Sequence, residues 1–176
     1  MPTYVVFLRA INLGKRRRVP MAELVECLAA AGCGDLATHL ATGNVRLSAA
    51  ARSHTAVEHL VEKACRERFG FEVPTLALPA PEVVQVASEG DALEVGPARQ
   101  YVTLLKKPAP PDVARELSAW SEPGEGALVS GRAVHWWSEH GTQGSRLGNE
   151  RIEQQLGVAT TRTLDVVRKV AEKWCP

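Results

Sequence analysis

The sequence is poor in the features that would assign it at once. No apolar run approaches the roughly 18 residues that cross a bilayer, and no charged-then-apolar leader precedes the first strand-like segment. A membrane is therefore not an expected partner, and the expected location is the cytoplasm. Cysteine occurs four times, at Cys27, Cys33, Cys65 and Cys175, without a CxxC pair, which reads as reduced thiols in helix-like segments, not as a disulfide framework. Neither charge sign dominates. The formal charge is +1, so the molecule as a whole has no strong field toward nucleic acid or an anionic surface. Walker and dinucleotide glycine motifs are missing, as are HExxH pairs among the five histidines and a GxSxG elbow. No metal, no cofactor and no nucleophilic triad is expected. Aromatics are also scarce where an RNA-binding plait would display them, since VVFLRA and NVRLS carry only Phe7.

What is present is an ordinary globular composition, 45% hydrophobic and 23% charged, over a length that suits one large domain or two small ones. TYVVFLRA (3–10) is rich in β-branched and aromatic residues and predicts a buried strand. Pro20 sits where a helix starts without losing a hydrogen bond, and Met21, Leu24, Val25 and Leu28 recur at helical spacing up to Gly32. Segments 36–42 and 44–48 predict a hairpin through Gly43 and Asn44. A helix capped by Ser53 runs to Gly70, and 73–79 predicts a strand. The order is that of a βαββαβ, ferredoxin-like unit over residues 1–79.

Residues 80–176 repeat the layout: a helix at 81–90, a strand at 100–107, a helix at 112–120 after Pro110 and Pro111, and a hairpin of 127–131 with 133–139. A helix at 145–157, a short strand at 159–161 and a closing helix at 163–174 follow. The expected fold is α+β, with two ferredoxin-like α/β-plait units that stand apart or share a sheet. Trp136 and Trp137 fall on opposite faces of one strand, which places one in the core.

The stretch FLRAINLGKRRRVPMAEL (7–24) holds the strongest site candidate. Arg9 closes a strand, Gly14 permits close backbone approach, and Lys15, Arg16, Arg17 and Arg18 supply charges suited to phosphate or carboxylate. The same residues suit a solvated loop, with Asn12 bonding its own backbone. Thr42, Gly43 and Asn44 offer a hydroxyl, a bare backbone and an amide, or simply a turn. Thr161 and Arg162, ahead of the last helix, offer an anion site at a helix start or a cap.

YVVFLRAINLGKRRRVPMAEL, LATHLATGNVRL and SRLGNERIEQQLGVATTRTLDVVRKV together resemble an uncharacterised bacterial family, a domain of unknown function whose members carry LRGINVGG, VPM, SGNVVF and TTRN in that order. The resemblance implies two plait-like subdomains and carries no established reaction. It implies site residues at Arg9, Asn12, Gly14, Gly43, Asn44, Thr161 and Arg162. Ala10, Lys15 and Thr163 depart from the pattern, which implies an altered version of the family's site, while Thr42, in place of the family's serine, keeps its hydroxyl. The functional expectation is a binding protein for a phosphate-bearing small molecule or nucleotide, with Arg9, Asn12, Asn44 and Arg162 near one another. The alternatives are a nucleic-acid-associated protein that uses residues 15–18, and an enzyme with no identifiable general base.

Overall fold

The computed structural model describes residues 1–175. The chain divides into two compact units, one of Met1–Val83 together with the segment from Val170 onward, the other Val84–Lys169. The sequence reading ended its second unit at the C-terminus; here the last residues group with the first unit, where the Trp174 ring meets the edge of His39 at 6.4 Å between centroids.

The first unit runs β1 (Thr3–Leu8), α1 (Met21–Ala30), β2 (Gly34–His39), β3 (Asn44–Ser48), α2 (His54–Phe69) and β4 (Thr75–Pro79). Its antiparallel sheet has the order β2-β3-β1-β4, the ferredoxin-like arrangement with β1 central. Central placement explains the unbroken apolar run of β1. Tyr4, Val6 and Leu8 pack with Leu24, Leu28, Val57 and Val61 from α1 and α2, while Val5 and Phe7, on the opposite face, are also fully buried. Ser53 caps α2 as expected, its Oγ accepting from Ala56 N at 3.2 Å. Gly70 ends that helix in the left-handed region at φ 76°.

Edge strands expose unpaired N–H groups, and β4 is an edge. Two α2 carboxylates meet it: Glu62 Oε1 accepts from Thr75 N at 2.9 Å and Glu58 Oε1 from Ala77 N at 3.0 Å. This explains why Glu58, 3% exposed, lies in an otherwise apolar interior.

The second unit contains most of α3 (Ala80–Asp91), then β5 (Arg99–Leu105), α4 (Pro111–Ala119), β6 (Ser121–Glu122), β7 (Glu125–Ser130), β8 (Ala133–Ser138), α5 (Gly141–Gly144), α6 (Asn149–Leu156) and β9 (Ala159–Thr163), and the first part of α7 (Leu164–Trp174). The sheet order is β6-β7-β8-β5-β9, the first unit's arrangement with the short β6 added at one edge. The same edge device recurs, since Glu153 of α6 accepts from Ala159 N of β9 at 2.9 Å. The architecture is thus α+β with two antiparallel sheets. Of the helix expected over 145–157 only α6 (Asn149–Leu156) is helical, its start delayed by the extended Ser145 and Gly148, while the short α5 lies before the expected range.

Trp136 is the buried tryptophan of its pair, stacked on Tyr101 at 4.3 Å. A chain of polar groups crosses this core: Trp136 Nε1 donates to Thr103 Oγ1 at 3.0 Å, the hydroxyls of Thr103 and Thr161 lie 2.7 Å apart, and Thr161 donates to Asn149 Oδ1 at 2.9 Å. Because the Thr161 proton goes to Asn149, Thr103 is the donor to Thr161. The buried hydroxyls of Thr103 and Thr161 thus each have a partner.

Candidate functional site

Two loops of the first unit come together at the end of β1. Leu8 N donates to Gly43 O at 2.8 Å, and Asn12 Nδ2 reaches across to Ala41 O at 2.7 Å. Asn12 also brackets its own loop: Nδ2 donates to Val19 O at 3.0 Å and Oδ1 accepts from Val19 N at 2.8 Å. Its amide is therefore fully engaged by backbone. Asn44, fully buried, donates through Nδ2 to His39 O at 2.7 Å and to Thr42 Oγ1 at 3.2 Å. Asn12 and Asn44 are thus the scaffold of this loop pair. Asn44 belongs to β3 and pairs with His39 and Phe7, so the connecting turn is Leu40 to Gly43.

Left-handed backbone concentrates here. Of the five non-glycine residues with positive φ among the described residues, Ala10 (54°), Asn12 (55°), Arg17 (54°) and Leu40 (62°) lie in these two loops. Such conformations are unfavourable for L-residues and persist where surrounding contacts enforce them. Gly43, at φ 83°, is required for space as well, because a Cβ there would come within 2.7 Å of Ile11 Cδ1 and 2.8 Å of Leu8 Cβ. Gly14, at φ 64°, faces open space; in this structure it serves the turn. Ala10 adopts the conformation that a glycine would take without strain. Lys15 lies outside the left-handed region, so the local path does not call for a glycine there.

The four cations differ from one another. Sequence reasoning treated Arg16, Arg17 and Arg18 alike, as solvated or as a phosphate strip, whereas Arg17 is a strap. Its Nε donates to Ala10 O at 2.9 Å, its Nη2 donates to Glu72 O, and its guanidinium lies 5.0 Å over the Phe71 ring. Asn12 N donates to Arg17 O at 3.0 Å and closes the loop from inside. Lys15, Arg16 and Arg18 are exposed and form no ion pair among the described residues. Arg9 is half-buried, its backbone N–H bonded to Pro74 O at 2.9 Å.

Between the loops and the start of α1 is an open cavity of about 490 Å³, lined by Asn12, Gly14, Arg18, Pro20, Met21 and Ala41 among others. No side chain caps α1, since the position is held by Pro20. The first amides of the helix and its positive dipole end thus remain at the cavity beside Arg18.

Thr161 and Arg162 belong to the second unit and lie on β9, not at a helix start. Thr161 is engaged in the hydroxyl chain described above. Arg162 Nη1 donates to Thr160 Oγ1 and to Thr161 O, both at 2.9 Å, and burial pushes its guanidinium down to about 10. Sequence reasoning missed the straps of Arg17 and the edge contacts of Glu58, Glu62 and Glu153. An i, i+4 carboxylate pair on an otherwise apolar helix face, as Glu58 and Glu62 form, was the available signal for the latter.

A family model described as "Protein of unknown function (DUF1697)" matches residues 1–135. The matched stretch includes the opening loop and the Thr42–Asn44 turn and stops short of Thr161. Among solved structures, a conserved bacterial protein from Streptococcus pneumoniae is similar to this chain with a TM-score of 0.73 and 17% identity, over 97% of each chain. No curated protein matches the chain.

Proposed function

The chain belongs to this family of proteins of unknown function, and we propose that it binds a phosphate-bearing small molecule, such as a nucleotide, in the cavity between the basic loop and the start of α1. The observation that carries the reading is the meeting of an uncapped helix start with Arg18 in an open cavity of about 490 Å³. Helix amides and a guanidinium are complementary to phosphate oxygens, and Lys15 and Arg16 stand exposed on the same loop. Asn12, Arg17, Gly43 and Asn44 act by positioning: they fix two strained loops so that the cations need little ordering on binding, which favours affinity.

Calorimetric titration with pyrophosphate, a panel of nucleotides and a short single-stranded RNA, at low and moderate salt, tests this. Saturable binding that distinguishes bases or sugars, and that weakens in Arg18→Ala, supports it. A response to RNA alone, falling steeply with salt as counterion release requires, replaces it with a nucleic-acid surface.

A further inference from the structure

The two joined loops of the first unit carry a second surface, outside the cavity. Leu13 is 68% exposed and Leu40 52% exposed. One exposed leucine needs no explanation, but two on abutting loops make an apolar patch. Each stands one residue from the bond that joins the loops, Asn12 Nδ2 to Ala41 O at 2.7 Å, so the leucines share one tip of the unit. Leu40 is held at φ 62°, and Leu13 lies between Asn12 at φ 55° and Gly14 at φ 64°. Backbone enforced in that region fixes where each leucine stands.

The charge around the patch has one sign. Lys15 and Arg16 follow on the same loop, exposed and without an ion pair among the described residues. Neither loop contains an aspartate or glutamate. The acids at its margins are engaged elsewhere, Glu23 with Arg68 and Glu72 with Arg66. A net charge of +1 over the whole chain conceals this local excess. Leu13, Lys15, Arg16 and Leu40 all lie outside the wall of the phosphate cavity.

We propose that this tip docks on an anionic lipid surface, with Leu13 and Leu40 entering the boundary between headgroups and acyl chains and with Lys15 and Arg16 meeting lipid phosphates. Arg17 and Arg18 add to the positive field of the loop while keeping their places at the strap and the cavity. Docking of this kind takes two signals together, apolar insertion and cationic attraction, because either alone is weak. The tip has both. A nucleic-acid backbone would answer the cations and leave the leucines in water; an apolar protein groove would answer the leucines and leave the cations unmatched. The contact is peripheral, since no helix among the described residues is long and apolar enough to cross a membrane.

Co-sedimentation of the full chain with vesicles of phosphatidylcholine alone, and of phosphatidylcholine and phosphatidylglycerol in equal parts, tests the assignment. The mixed vesicles bind the protein, the neutral ones bind little, and added salt weakens the binding by screening the surface charge. Leu13→Ser with Leu40→Asn, both at exposed positions and the asparagine suited to left-handed backbone, lowers the partition by about tenfold, as withdrawal of two partly inserted side chains does. Lys15→Ala with Arg16→Ala lowers it by about thirtyfold, the effect of two cations lost from the surface. Both variants unfold at the parent's thermal midpoint, and the leucine variant binds pyrophosphate as the parent does, which separates this surface from the cavity. No binding to the mixed vesicles, with or without binding of a short RNA in their place, overturns the proposal, as does equal partition of the parent and the leucine variant. Either result leaves the phosphate cavity to its own test with pyrophosphate and Arg18→Ala.

Discussion

Asn12 holds Val19 by both backbone groups, accepting from Val19 N at 2.8 Å and donating to Val19 O at 3.0 Å. Seven residues apart in sequence, the two close the basic loop into a ring that Arg17 then ties to Ala10 and Glu72. Replacing Asn12 by alanine removes these bonds and the one to Ala41, and leaves a Cβ residue without compensation at φ 55°. The expected loss is about 2–3 kcal/mol in denaturant unfolding, with faster amide exchange at Val19. Stability within about 0.5 kcal/mol of the parent would show that the ring is not rigid.

Ala10→Gly is expected to stabilise the protein. Alanine is held at φ 54°, where glycine has no Cβ penalty, and the expected gain is about 1 kcal/mol after the greater flexibility of glycine in the unfolded chain is deducted. A higher thermal midpoint with unchanged ligand affinity is the signature.

Glu58→Ala leaves Ala77 N without the carboxylate that meets it at 3.0 Å inside the first unit. A hydrogen bond to a charged group contributes roughly 1.5–3 kcal/mol, and a loss of that size in equilibrium unfolding is expected. Glu58→Gln retains an acceptor and loses less.

Acid lowers stability in a window assigned to His135. Burial places its folded value below the unfolded 6.5, so the unfolded chain takes up this proton first. The stabilisation is fully present above about pH 6.5 and is lost as pH falls toward the folded value. A His135→Phe variant is expected to show a flatter stability profile between pH 7 and 5. An unchanged slope assigns that acid sensitivity to other groups.

The fold was legible because its signals are local and repeated. Helix starts at Pro20, Ser53 and Pro110, the stop at Gly70, and the hairpin about Gly131 all fall where their chemistry places them. The two-residue β6 and the four-residue α5 were not legible, since neither has a periodic pattern of its own. The basic loop was recognisable as a candidate from composition, yet the division of labour within it was not. Arg17 and Arg18 are chemically identical neighbours, and only the position of Phe71 and of the Glu72 carbonyl, more than fifty residues along, makes one a strap and leaves the other at a cavity. Asn12 and Asn44 suited a ligand as well as a turn by residue type. Their distances to Val19, Ala41 and His39 assign them to the loops.

Titration of the parent protein and of Arg18→Ala with pyrophosphate at constant ionic strength, with Arg17→Ala beside them, tests the central claim most directly. The account predicts saturable binding in the parent, a loss of about tenfold or more in Arg18→Ala with folding stability unchanged, and in Arg17→Ala a lowered stability accompanying any loss of affinity. Equal affinity in the parent and Arg18→Ala would contradict it and return the basic loop to the role of a solvated surface.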